Sequence, residues 1–150
     1  MNGRLFVGGL ITVAVLTVAA SIYFRGAVEP FDKSFSSTLS PDGRYKAVRL
    51  VVTRQTPPAF CEASVSIYLA VYPDSFAESE KGYVVYAAPC PTPIDPATWP
   101  AVRWLANDAV EIAYTPGPPA ADPNKLRRRV VDASRTVKIG YVEREKRHSQ

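Results

Sequence analysis

Few residues in this chain have side chains able to do chemistry: two cysteines, one histidine and a scatter of carboxylates. His148 is the sole imidazole and lies in the basic tail, so a Ser-His-Asp or Cys-His arrangement would need that tail to fold back into a site. Two cysteines and a distant histidine do not have the spacing of a zinc site. Paired carboxylates for acid–base work could in principle come from Glu62, Asp95, Asp108 and Glu111, but acidic residues at turns and strand edges are usually solvated. Glycine-rich phosphate loops are absent, since Gly8-Gly9 falls within an apolar run. The sequence therefore assigns no catalytic residue, no metal ligand and no cofactor.

What remains is structural and adhesive chemistry. Cys61 and Cys90 are expected to form a disulfide, which suits an oxidising compartment. Trp99 next to Pro100 makes a corner able to anchor a partner, although a tryptophan leading into a strand is more often core. Arg127 and Arg129 are the other candidate partner contacts. Arg127, Arg128 and Arg129 alternate across a strand and make no single patch, so nucleic acid is not an expected partner.

The elements around these residues begin with a membrane segment. Leu5–Phe24 is a stretch of 20 residues without a charge, bracketed by Arg4 and Arg25. As a helix it would span roughly 30 Å, the hydrocarbon thickness of a bilayer. Val18-Ala19-Ala20 also fits a signal-peptidase site, which leaves a secreted or periplasmic product cleaved near Ala20 as the alternative. The apolar run continuing through Ile22, Tyr23 and Phe24 favours a retained anchor in the inner membrane. Arg4 and the amino terminus are matched by Arg25 and Lys33, so charge alone does not orient it; the signal-like start and the cysteines place the C-terminal domain outside the cytoplasm, periplasmic or extracellular.

Eleven of the fourteen prolines cluster around residues 57–58, 89–100 and 116–123, and such clusters mark connections. Between them the pattern has period two. Ser40-Pro41-Asp42-Gly43 predicts a turn joining Phe35–Leu39 to Arg44–Arg54, a strand apolar on both faces. Ser64–Tyr72 alternates, with Val65, Ile67, Leu69 and Val71 on one face and the Tyr68 and Tyr72 hydroxyls expected to stay wet on the other. Gly82–Ala88 follows across the polar stretch Asp74–Lys81, which has room for one helical turn. Val102–Leu105 and Ala109–Thr115 form a hairpin around Asn107-Asp108, and Arg127–Val131 with Thr136–Val142 supply the last pair, joined around Asp132–Arg135.

The resulting expectation is an all-β fold: an antiparallel sandwich or strongly curved sheet of seven to eight short strands behind one transmembrane helix. Residues 1–25 are the anchor or signal, 26–33 a tether, 34–143 the β domain and 144–150 a basic disordered tail. From Lys125 onward there are nine Lys or Arg against three acidic residues, a net of +6, while the rest of the chain is net −2. Such a basic segment either lies against an anionic envelope surface or is a solvated strand face.

The order Ser40-Pro41-Asp42-Gly43-Arg44-Tyr45-Lys46-Ala47, Cys61 before Val65-Ser66-Ile67-Tyr68, and Val102-Arg103-Trp104-Leu105 before Val110-Glu111-Ile112-Ala113-Tyr114 resembles a loose group of short bacterial proteins with an N-terminal signal or anchor. The same Ser-Pro-Asp-Gly turn and Trp-Leu hairpin recur in β-propeller blades of TolB-like type. A propeller needs four or more blades of about 40 residues, too many for this chain. The resemblance implies architecture and location and carries no catalytic residue.

The functional expectation is a non-enzymatic, membrane-anchored envelope protein whose β domain binds a protein or an envelope component. The alternatives are a small envelope enzyme acting through carboxylates and an inhibitor or immunity-type protein.

Overall fold

The computed structural model describes residues 31–55, 58–91, 93–116 and 127–144. The expected membrane segment Leu5–Phe24, residues 26–30 of the tether and residues 145–150 of the basic tail lie outside the described residues. Among the described residues no helix is long and apolar enough to cross a membrane.

Among the described residues there are eight strands and one α-helical turn, β1 Asp32–Leu39, β2 Tyr45–Arg54, β3 Phe60–Leu69, α1 Phe76–Ser79, β4 Val84–Pro89, β5 Ala101–Ala106, β6 Ala109–Tyr114, β7 Arg127–Arg128 and β8 Lys138–Glu143, with short 3-10 turns at Lys81–Tyr83 and Pro96–Thr98. Strand β1 starts at Asp32, inside the stretch read from sequence as tether, because Asp32 and Lys33 already pair with Thr53 and Val52. The strands form two sheets, ordered β1-β2-β3-β4-β7 and β5-β6-β8.

The Ser40–Gly43 turn forms as its residues dictate. The Gly43 N–H donates to the Ser40 carbonyl (2.8 Å), and Gly43 takes φ +70°, which a glycine adopts without a Cβ penalty. The Asp42 carboxyl accepts from the Ser40 hydroxyl (2.7 Å) and the Arg44 N–H (3.1 Å), and these bonds hold its pKa below the ordinary value. The turn fixes an unbroken antiparallel register from Leu39↔Lys46 to Asp32↔Thr53.

Strand β2 is central, which explains its two apolar faces. Tyr45, Ala47 and Val51 look toward the second sheet, while Val48 and Leu50 look outward and are as deeply buried. The inner face packs Tyr45, Ala47, Val65, Ile67 and Tyr86 against Val110, Ile112, Tyr114, Val137 and Ile139, so the main core lies between the sheets. Burying each of the valine and isoleucine side chains contributes about 1.5–3 kcal/mol.

The outer face of β2 and β3 is covered by the β3–β4 connection. Phe76 of α1 stacks on Tyr72 (centroids 4.6 Å) and meets Tyr68 edge-on (5.1 Å), and Tyr83 closes the group. Tyr68 is therefore buried instead of wet at its tip, and its hydroxyl donates to the Pro73 and Asp74 carbonyls (both 3.2 Å). Leu69 and Val71, which the alternation places on one face with Val65 and Ile67, end up exposed where β3 runs out.

The last pair of strands departs from expectation. Strand β7 is two residues long and pairs with β4, while β8 runs parallel to β6 from Ala109↔Lys138 to Tyr114↔Glu143. Of the expected hairpin only the Val131↔Lys138 bridge remains. The reason lies in Asp132, whose buried carboxylate accepts the Thr136 and Val137 N–H groups (both 2.8 Å) and the Ser134 N–H (3.0 Å). This loop takes up the amides that would otherwise start a ladder, and β8 then inserts Ile139 and Tyr141 into the core beside β6.

The two sheets are joined at both sides. At one side the Arg129 N–H donates to the Val85 carbonyl (2.9 Å) and the Ile139 N–H to the Val130 carbonyl (2.9 Å), linking β4 to β8 through the chain after β7. At the other the Trp104 indole N–H of β5 donates to the Thr38 carbonyl of β1 (3.1 Å).

Candidate functional site

The disulfide links the start of β3 to the residue after β4, with Cα atoms 5.3 Å apart. The Cys90 N–H donates to the Cys61 carbonyl (3.0 Å), so the bond extends a ladder already in place. Cys90 packs with Val51 and Ala63 in a satellite of the core, and Trp99 leans on the same cluster. Asp95 positions Trp99 by capping the turn Pro96–Thr98, its side chain accepting from the Ala97 N–H (2.9 Å). The Arg49 guanidinium lies 5.7 Å over the Trp99 ring and donates to the Pro100 carbonyl (3.0 Å). Trp99 is thus a half-buried platform with a cation on one face, and its indole nitrogen is buried with no acceptor among the described residues.

Arg127 and Arg129 share a side of the chain, as strand alternation requires, and both reach the turn Lys81–Tyr83. Arg129 donates to the Gly82 carbonyl (2.7 Å) and Arg127 to the Lys81 carbonyl (3.5 Å). Arg128 points the other way, donating to the Tyr114 hydroxyl (2.8 Å) with its guanidinium 5.4 Å over that ring. Each guanidinium carries five donors and spends few of them on these contacts. All three arginines are exposed, and none has a carboxylate partner among the described residues.

A cluster that the sequence did not single out sits beneath Arg128. Tyr86, Tyr114 and Tyr141 converge from β4, β6 and β8 with ring centroids 5.7 to 6.4 Å apart. The Tyr141 hydroxyl donates to the Val85 and Arg129 carbonyls (2.8 and 2.9 Å) and accepts the Arg129 N–H (3.1 Å). Burial, reinforced by Tyr114, pushes the Tyr86 hydroxyl up to about 12, and burial raises Tyr141 as well. Its signal in the sequence was the inward alternation of Tyr114 with Val110 and Ile112; the convergence required the β6–β8 pairing.

The four carboxylates weighed for acid–base work are on separate duties. Glu111 is ion-paired with Arg103 (2.9 Å) across β5 and β6, and Asp95 caps its turn. Asp108 lies in the β5–β6 turn, where its carbonyl accepts the Lys138 N–H (2.8 Å), and Glu62 is exposed on β3. Among the described residues no three His, Cys, Asp or Glu side chains gather as a metal site.

The fold and these clusters define a small, disulfide-bonded, two-sheet β domain. No family model matches the chain, and no curated protein or solved structure matches it either.

Proposed function

We propose that the protein is a single-pass, membrane-anchored envelope protein whose β domain lies outside the cytoplasm and binds a protein or envelope component without catalysing a reaction. The Cys61–Cys90 disulfide carries this reading, because such bonds persist in oxidising compartments. The apolar Leu5–Phe24 segment ahead of the domain supplies the means of attachment. Trp99, Arg127 and Arg129 are the proposed contact residues, a half-buried aromatic and two cations with donors to spare.

The test is the mass and fraction of the protein recovered from intact cells under non-reducing alkylation. A full-length, membrane-bound chain with neither cysteine alkylated is the expected result. A soluble chain starting near Ser21 would replace the anchor with a secreted product, and a full-length chain with two alkylated thiols would return the domain to the cytoplasm.

A further inference from the structure

Strand β1 is unlike the other sheet edges. All eight of its residues are exposed, and its register against β2 is continuous, with no bulge and no proline. Natural edge strands are blunted by bulges, short length, prolines or covering segments. Among the described residues the other edges follow that rule: β5 carries a bulge at Leu105, β7 has two residues, and β8 is flanked by the Val131 bridge. The strand's two charges, Asp32 and Lys33, both lie at its start, and Lys33 is drawn aside into an ion pair with Glu78 of α1, so Ser34–Leu39 carries no charge to guard it.

The backbone groups facing the open edge follow from the ladder. The Ser40 N–H donates to the Tyr45 carbonyl (2.8 Å), which makes Ser40 and Tyr45 a hydrogen-bonded pair. Bonded and non-bonded pairs alternate in an antiparallel ladder, so Thr38, Ser36, Ser34 and Asp32 turn their groups to β2. Lys33, Phe35, Ser37 and Leu39 turn theirs outward. The same odd-numbered residues share one face of the sheet, where Phe31, Phe35 and Leu39 are exposed to 43, 37 and 61%.

We infer that β1 pairs with β1 of a second copy of this chain, antiparallel about a two-fold axis at Phe35, joining the two five-stranded sheets. The register is dictated by the side chains. Centring on Phe35 sets the two Phe35 rings against each other and Leu39 opposite Phe31 of the partner copy, while Lys33 meets Ser37 and Asp32 meets Thr38. No like charges oppose each other, and every exposed apolar residue of the strand gains an apolar neighbour, the pairing that stabilises antiparallel sheets. The isologous geometry closes at two copies.

Cysteine placed at 35 distinguishes this register from nonspecific contact. Full-length chains carrying Phe35→Cys or Leu39→Cys, purified in mild detergent, are treated with a mild thiol oxidant. Phe35→Cys is expected to form a covalent dimer rapidly and Leu39→Cys slowly, because Leu39 faces Phe31 of its partner and not itself. Phe35→Lys is expected to weaken self-association about tenfold or more by opposing two ammonium groups. Unchanged thermal melting and a closed Cys61–Cys90 bond in Phe35→Lys would show that its fold is intact. Equal crosslinking at 35 and 39, a monomeric parent chain, or a dimer indifferent to Phe35→Lys would each overturn the inference, and none of these outcomes depends on where the domain resides in the cell.

Discussion

Cys61 and Cys90 face each other across the β3–β4 pair at the sheet end where Trp99 and Arg49 stack, so the disulfide and the tryptophan platform are one structural unit. The bond closes a separation of 29 residues. In the chain-entropy model that contributes about 3.5 kcal/mol. The Cys61→Ser/Cys90→Ser variant is expected to lose stability of that order in urea unfolding. Trp99 fluorescence should shift at a lower denaturant concentration than in the parent, and an unchanged midpoint would refute the assignment.

Asp132 is the second anchor. Its buried carboxylate holds the Ser134, Thr136 and Val137 amides together, and the loop carries Arg135 in the left-handed region at φ 61°. Asp132→Ala leaves those amides unpaired, the buried Val137 N–H among them, and is expected to cost about 1–3 kcal/mol. Arg135→Gly, which relieves the strained φ, is expected to be neutral or stabilising by up to about 1 kcal/mol. Chemical denaturation of the two variants gives both signs in one comparison.

Alkaline pH probes the aromatic clusters. Tyr86 and Tyr68 are both pushed up to about 12, chiefly by burial, then by Tyr114 for Tyr86 and by the Asp74 charge for Tyr68. An unfolded tyrosine ionises near 10, so the stability these groups contribute is fully present below pH 10 and is lost as pH rises toward about 12. Tyrosinate absorbance should show a late-titrating fraction that merges with global unfolding, and Tyr86→Phe should flatten that part of the stability curve. At the acid end the hydrogen bond from Lys46 holds Asp74 below its ordinary value. Its contribution is present above the unfolded value of 3.8 and fades as pH falls through the folded one.

Trp104 joins the sheets on the β1 side through its bond to the Thr38 carbonyl. Trp104→Phe keeps the ring's bulk and removes the N–H, at an expected cost of about 1 kcal/mol. Hydrogen exchange in β1 should quicken more than in β3, and a uniform change across both strands would show that this bond does not fasten the edge.

The local hairpins were legible because their information is local. Ser40-Pro41-Asp42-Gly43 and Asn107-Asp108 set turn geometry within a few residues, and both strand pairs formed about them as read. The Arg127–Val142 pairing was misread for the converse reason. Apolar alternation says that β8 has an inward face but not which strand it lies beside, and the Asp132 loop removed the local partner. Trp99 shows the same limit: its type marked it as notable, but only the packing of Val51, Ala63 and Cys90 beneath it and Arg49 above it shows what it touches.

The sequence by itself determined an all-β domain, the doubly apolar central strand β2 and two of its turns, since period-two burial and turn chemistry depend on neighbours along the chain. The tertiary structure alone decided the parallel β6–β8 pairing, the meeting of Tyr86, Tyr114 and Tyr141 under Arg128, and the exposure of β1. Strands far apart in sequence find each other by competing for one shared core, and the winner depends on the volume and hydrogen bonds of the whole set.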